Sequence, residues 1–158
     1  MTKAICSCYT PSQEELDRML RQTFCPEDPR QQSQEKWDRR LLETAEQVAS
    51  WSKDPSTQTG AVITDPNNHI ISVGYNGFAK GVKDTPNRYR QREKVKYLMV
   101  AHCETNAIIF AKRDLEGCTL YTVPFMSCAT CAALVINAGI KRCVAPVLPK
   151  ELKSRWGK

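Results

Sequence analysis

Long apolar runs are missing from this chain. No stretch approaches the roughly 18 apolar residues that a membrane-spanning helix needs, so no such helix is read from the 158 residues. The start, Met1-Thr2-Lys3-Ala4-Ile5-Cys6-Ser7-Cys8, lacks the apolar stretch of a signal peptide, and a cytoplasmic protein is expected. No internal repeat is visible, and 41% hydrophobic with 25% charged residues suits one soluble domain with one core. Histidine is scarce, with only His69 and His102 available to ligate a metal. Aromatic residues near the basic stretch are also few. Tyr89 and Tyr97 do not make the stacking track that a single-strand-binding groove requires, so a nucleic-acid partner is not expected.

Against that background, His102-Cys103-Glu104 and Cys128-Ala129-Thr130-Cys131 stand out. Together they offer three metal ligands and one unattached carboxylate. A structural zinc site closes with four protein ligands, whereas a catalytic one keeps three and leaves a position for water. Zinc brings the pKa of that water to about 7, and a neighbouring glutamate can move its protons. Ser127 is a plausible N-cap for a helix over 128–138, with Gly139 placed to end it. The cysteines then sit at i and i+3 on one face, where the positive helix terminus and the metal favour thiolates. A second helix is predicted from near Ala101 to Arg113, placing His102 and Glu104 in its first turn. Two residues apart, these side chains point in different directions, so Glu104 can lean over the open position.

Residues 1–33 are polar, with a short helix over Gln13–Thr23, and read as an extension preceding a domain over 34–158. Trp37, Leu41, Ala45 and Val48 mark an amphipathic helix over Glu35–Ser50. Residues 61–64 and 69–73, joined by Asp65-Pro66-Asn67-Asn68, read as a hairpin with His69 at a strand start. A long loop from about Gly74, the first metal helix, a strand over Cys118–Val123, the second metal helix and a strand over Lys141–Ala145 complete the order. Strands separated by helices after a hairpin predict an α/β fold: a three-layer α/β/α arrangement with a mixed sheet. Of eight cysteines, Cys103, Cys118 and Cys143 lie in apolar segments and are expected in the core, while the spacing of Cys6, Cys8 and Cys25 matches no metal pattern. The net charge of +6 gathers around Arg88, Arg90, Arg92, Lys94 and Lys96, which reads as a solvated face, a phosphate site or an oligomer contact.

His-x-Glu followed by Cys-x-x-Cys is the signature of zinc nucleobase deaminases. With Ser52-Lys53-Asp54-Pro55-Ser56-Thr57-Gln58-Thr59-Gly60-Ala61, Gly74-Tyr75-Asn76-Gly77-Phe78 and His102-Cys103-Glu104-Thr105-Asn106-Ala107-Ile108, the chain resembles the deoxycytidylate (dCMP) deaminase branch of the cytidine deaminase superfamily over about 37–147. The resemblance implies a cytidine deaminase-like fold and Zn2+ held by His102, Cys128 and Cys131. It implies that Glu104 shuttles protons and that Asn106, Lys53 and Thr59 help hold dCMP. The product would be dUMP, a supply for thymidylate synthesis. It also implies regulation at Gly74, Tyr75, Asn76 and Gly77, where dCTP, accompanied by Mg2+, activates and dTTP inhibits, in a homohexamer. Two positions depart from the family pattern: Cys103 stands where Ala is usual, and Ser127 where Pro is usual. Neither removes a ligand, but both bear on pocket shape. The chain also ends at Lys158, shortly after the last strand, so a sheet edge is expected to be covered by another subunit or by the N-terminal stretch. The rival readings are a tRNA or single-strand deaminase, a free-nucleoside deaminase, and a non-enzymatic zinc-stabilised module.

Overall fold

The structure, a computed structural model, describes residues 29–147. The Gln13–Thr23 helix and Cys6, Cys8 and Cys25 lie outside the described residues. Helix α1 (Pro29–Ala49) begins upstream of the expected Glu35. Then come β1 (Gly60–Thr64), β2 (Ile70–Tyr75), β3 (Gly77–Phe78), α2 (Pro86–Arg90), a π-helical turn (Arg92–Lys96), α3 (Tyr97–Met99), β4 (Val100–Ala101), α4 (Cys103–Ala111), β5 (Thr119–Val123), α5 (Ala129–Asn137) and β6 (Arg142–Val144). Among the described residues, no helix is long and apolar enough to cross a membrane.

The main sheet has the order β2-β1-β5-β6. β1 pairs antiparallel with both β2 and β5, while β5 and β6 run parallel. Parallel neighbours need a crossover, and α5 supplies it. Side chains alternate across a strand, and this alternation divides the core. On one face, Leu41, Ala45 and Val48 of α1 pack on Val62, Tyr121 and Val123. On the other, Cys103 and Ala107 of α4 and Val135 of α5 pack on Ala61, Ile63 and Leu120. These are the three layers and the mixed sheet predicted from the order of elements. Trp37 departs from its expected place on the buried stripe: it is 38% exposed, with its ring under the Arg40 guanidinium.

Local chemistry explains the boundaries. The β1–β2 turn is held by Asp65, whose carboxylate accepts from the amides of Asn67 and His69, and Asn68 adopts the left-handed conformation that asparagine tolerates. His69 lies just before β2 with its ring 3.0 Å from Asp65. Helix α5 ends in a Schellman motif, with the Gly139 amide donating to Ile136 and the Ile140 amide to Val135. Gly139 has φ of +79°, which is why glycine follows the helix there. Helix α4 stops at Ala111, short of the expected Arg113, because Lys112 turns left-handed.

Three expectations are corrected. The segment after Gly74 is not one long loop: β3 and β4 pair as a two-stranded sheet, with α2, the π-helical turn and α3 between them. Two-residue strands are too short to show a period in sequence. Cys143 is exposed on β6 rather than in the core, because among the described strands β5 alone flanks that edge strand; Cys103 and Cys118 are buried as expected. Ser127 is not the N-cap. Helix α5 starts one residue later with Cys128 in that place, its backbone extended and its sulfur turned to His102 rather than to a helix amide.

Candidate metal and active site

Two helix starts meet at one end of the sheet. His102 is the N-cap residue of α4 and Cys128 that of α5. The imidazole Nδ1 lies 3.5 Å from Cys128 Sγ and 3.4 Å from Cys131 Sγ. One ligand atom from each of the three residues falls within 4.8 Å of the others. Two sulfurs and one nitrogen, close enough to share a cation, are a donor set that suits zinc. Thr105 adds a hydroxyl 3.8 Å from Cys131 Sγ, the kind of outer contact that orients a ligand. Burial, with the Glu104 charge second, pushes the Cys131 thiol up to about 12. Burial thus opposes the thiolate that the helix terminus favours, and a cation held here would favour it.

Glu104, one position into α4 from Cys103, is 5% exposed. The thiol of Cys103 donates to its Oε2 at 3.2 Å. Burial, and then the Glu104 charge, holds that thiol far above the ordinary cysteine range, so it remains a donor. Both residues face a cavity of about 760 Å³ that also takes in His102 and Cys128. The volume is within the range of small-ligand pockets.

Part of the cavity lining is organised by a buried ion pair that sequence reasoning missed. Lys96 is 5% exposed and donates to Asp54 at 2.7 Å. Asp54 also accepts from the Ser56 amide and hydroxyl, the Thr57 amide and the Asn76 amide group. Burial would raise the Asp54 carboxyl, but the hydrogen bonds from Lys96 and Ser56 outweigh it and hold it below its ordinary value. Lys96 therefore does not belong to a solvated face. No local pattern could pair it with Asp54, 42 positions away. Arg92, one turn earlier, also lines the cavity, and its guanidinium sits over the Tyr97 ring.

The remaining sequence candidates divide. Thr59 and Asn76 line the cavity. Asn76 accepts from the Thr59 amide and donates to the Thr57 carbonyl, joining the end of β2 to the 52–59 segment. Lys53 and Asn106 are not among the lining residues: Lys53 is exposed and paired with Asp84, and Asn106 donates to the Tyr75 carbonyl. Gly74 is pressed against α4, Tyr75 stands edge-on to Trp51, and Gly77 pairs with Ala101.

Such a sandwich, with a thiolate and imidazole metal cradle beside a buried glutamate, defines a zinc-dependent deaminase domain. The family model of the cytidine and deoxycytidylate deaminase zinc-binding region matches residues 35–147, and the chain belongs to that family. It is 49% identical over 122 residues to an uncharacterised deaminase from the luxG 3′ region of Aliivibrio fischeri, covering 77% of this chain and 80% of that one. It is 40% identical over 113 residues to the deoxycytidylate deaminase of Mus musculus, covering 68% of this chain and 63% of the mouse enzyme's length. The chain thus spans under two thirds of that curated relative. The fold matches the crystal structure of the dCMP deaminase of cyanophage S-TIM5 in complex with dCMP and dUMP, with a TM-score of 0.58 at 21% identity over 68% of this chain and 79% of that one.

Proposed function

We propose that the protein hydrolyses dCMP to dUMP and ammonia, with zinc held by His102, Cys128 and Cys131. The observation that carries this reading is the placement of buried Glu104 in one cavity with the His102, Cys128 and Cys131 cluster. The deoxycytidylate deaminases among the relatives favour a 5′-phosphorylated deoxycytidine as substrate. Zinc, when bound, supplies acidified water at neutral pH. Glu104 then takes a proton at a carboxylate oxygen and passes it to N3 of cytosine. A second transfer through the same carboxylate delivers a proton to the amine at C4, which leaves as ammonia while the carbonyl of uracil forms.

Substrate placement falls to other residues of the cavity lining. Thr59 and Asn76 stand where a sugar or base edge can be held. Lys96 is committed to Asp54, so Arg92 is the cation assigned to the 5′-phosphate. Asn106 acts indirectly, by fixing the Tyr75 carbonyl. Regulation by dCTP and dTTP in a homohexamer is a separable part of the reading.

Ammonia release from dCMP, deoxycytidine and a cytosine-containing oligonucleotide, measured with zinc-loaded protein, tests the assignment. Turnover confined to dCMP is expected. Preference for deoxycytidine or for the oligonucleotide overturns the nucleotide reading, and stimulation of dCMP turnover by dCTP with Mg2+ reads the regulatory part alone.

A further inference from the structure

We propose that Cys103 is a positioning residue whose thiol holds the Glu104 carboxylate in its working orientation. The inference rests on the deaminase reading above. Among the described residues, the Cys103 thiol is the one hydrogen-bond donor to that carboxylate, at 3.2 Å from Oε2. Both residues are largely covered by protein, Cys103 at 3% and Glu104 at 5% exposure, while both line the cavity. The thiol is thus the protein group that can orient the carboxylate through a hydrogen bond, with the other oxygen left to the cavity. The sulfur is itself constrained. Its backbone lies in the first turn of α4, packed with Ala61, Ile63 and Leu120, and the Thr59 hydroxyl also interacts with it. A rigid donor thus fixes a glutamate whose own side chain has three rotatable bonds.

The consequence is a division of labour at the carboxylate. Oε2 is engaged by the thiol, which leaves Oε1 to exchange protons with water and with the cytosine ring. A proton shuttle works only when held within a few tenths of an ångström of the productive geometry, and misplacement by about 1 Å can cost up to a hundredfold in rate. The thiol is a weak donor. It orients the carboxylate without competing strongly for its charge, which must remain available to accept a proton.

The test compares Cys103→Ala and Cys103→Ser in zinc-loaded protein. Loss of the donor in Cys103→Ala is expected to lower kcat about tenfold, with KM unchanged within about twofold, as for loss of one hydrogen bond to a charged group. Cys103→Ser keeps a donor but fits an apolar pocket worse, so a packing role predicts that it is no better than alanine, whereas a positioning role predicts recovery of most of the lost kcat. Zinc content is expected to be unchanged in both. The second readout is the S–H stretching band in the infrared difference between zinc-loaded wild type and Cys103→Ala. It is expected to lie at the low frequency of a thiol bonded to a carboxylate and to move up in Glu104→Gln. An S–H band that ignores Glu104→Gln, or a Cys103→Ala variant with full zinc and unchanged kcat, overturns the inference. Because the infrared readout needs no substrate, failure of the proposed reaction shows separately, as absent dCMP turnover by the wild type.

Discussion

Gly74→Ala is expected to damage both the fold and the site, although the glycine lies outside the cavity. A Cβ at this position would lie 2.3 Å from the Cys103 carbonyl oxygen and 2.4 Å from the Ala107 amide nitrogen. Both obstacles are backbone atoms of α4, so no side-chain rotation relieves them. Either β2 or α4 must retreat by about 1 Å to restore ordinary contact. Overpacking of this kind typically costs about 1–3 kcal/mol, and obstruction by two backbone atoms places Gly74→Ala at the upper end. For a chain of this size about 3 kcal/mol corresponds to a fall in Tm of about 6–12 °C. The displaced helix also carries Glu104, so kcat should fall by at least about tenfold. Thermal melts by circular dichroism and dCMP turnover at saturating substrate read the two effects. Gly77→Ala is the control from the same segment: nothing lies within 4 Å of its added Cβ, and Tm and kcat should be nearly unchanged. If Gly74→Ala melts within about 2 °C of wild type and changes only the response to dCTP, the close-approach argument is refuted and the segment's role is regulatory.

Three further outcomes are expected. Glu104→Gln should retain stoichiometric zinc while losing at least about a hundredfold in kcat, and retained turnover with full zinc would remove Glu104 from its role. Cys131→Ser should lose zinc and turnover together, as read by metal analysis after dialysis, since a hydroxyl cannot replace the thiolate; full zinc in this variant would refute the ligand assignment. Lys96→Met leaves the Asp54 carboxylate buried without its cation and should cost about 3–5 kcal/mol in denaturant unfolding. Because the folded-state pKa of Asp54 lies below its ordinary 3.8, the pair's stabilisation is intact above that pH and is lost as pH falls through the folded value. The stability gap between wild type and Lys96→Met should therefore narrow in acid, and a gap independent of pH between 7 and about 2 would show that the pair is not the source.

The layers and the candidate metal ligands were legible because each is marked by a short-range spacing, within a helix or within a motif. Leu41, Ala45 and Val48 recur at helical intervals and are buried together. Cys128 and Cys131, one helical turn apart, lie in one group with His102. What the sequence hid depends on distant pairing. Lys96 sits among basic residues, and nothing nearby signals that it turns inward to Asp54. Ser127 has the composition of an N-cap, but a cysteine whose sulfur faces His102 takes that place, and among the described residues the buried serine hydroxyl has no hydrogen-bond partner. Cys143 resembles its buried counterparts in sequence, and only its place on an edge strand exposes it. The two-residue strands β3 and β4 have no pattern to read, yet their pairing places Ala101, and therefore His102, beside Gly77.

The two helical layers do different work. None of the cavity-lining residues comes from α1. This helix is tied to the sheet by Leu41, Ala45 and Val48, and by Asp38, which accepts from the Tyr121 hydroxyl and the Arg142 guanidinium. The opposite layer packs on the sheet through Cys103, Ala107 and Val135, and the same two helices present Glu104, His102, Cys128 and Cys131 from their first turns. Cys103 belongs to both roles, because its sulfur lies in the core while donating to the carboxylate. A packing change on the α4 side therefore reaches the proposed chemistry through one residue, whereas a change on the α1 side must first deform the sheet. The constraint at Gly74 follows from the same arrangement. Bringing β2 close to α4 fixes the first turn of that helix, and the position of Glu104 depends on that turn.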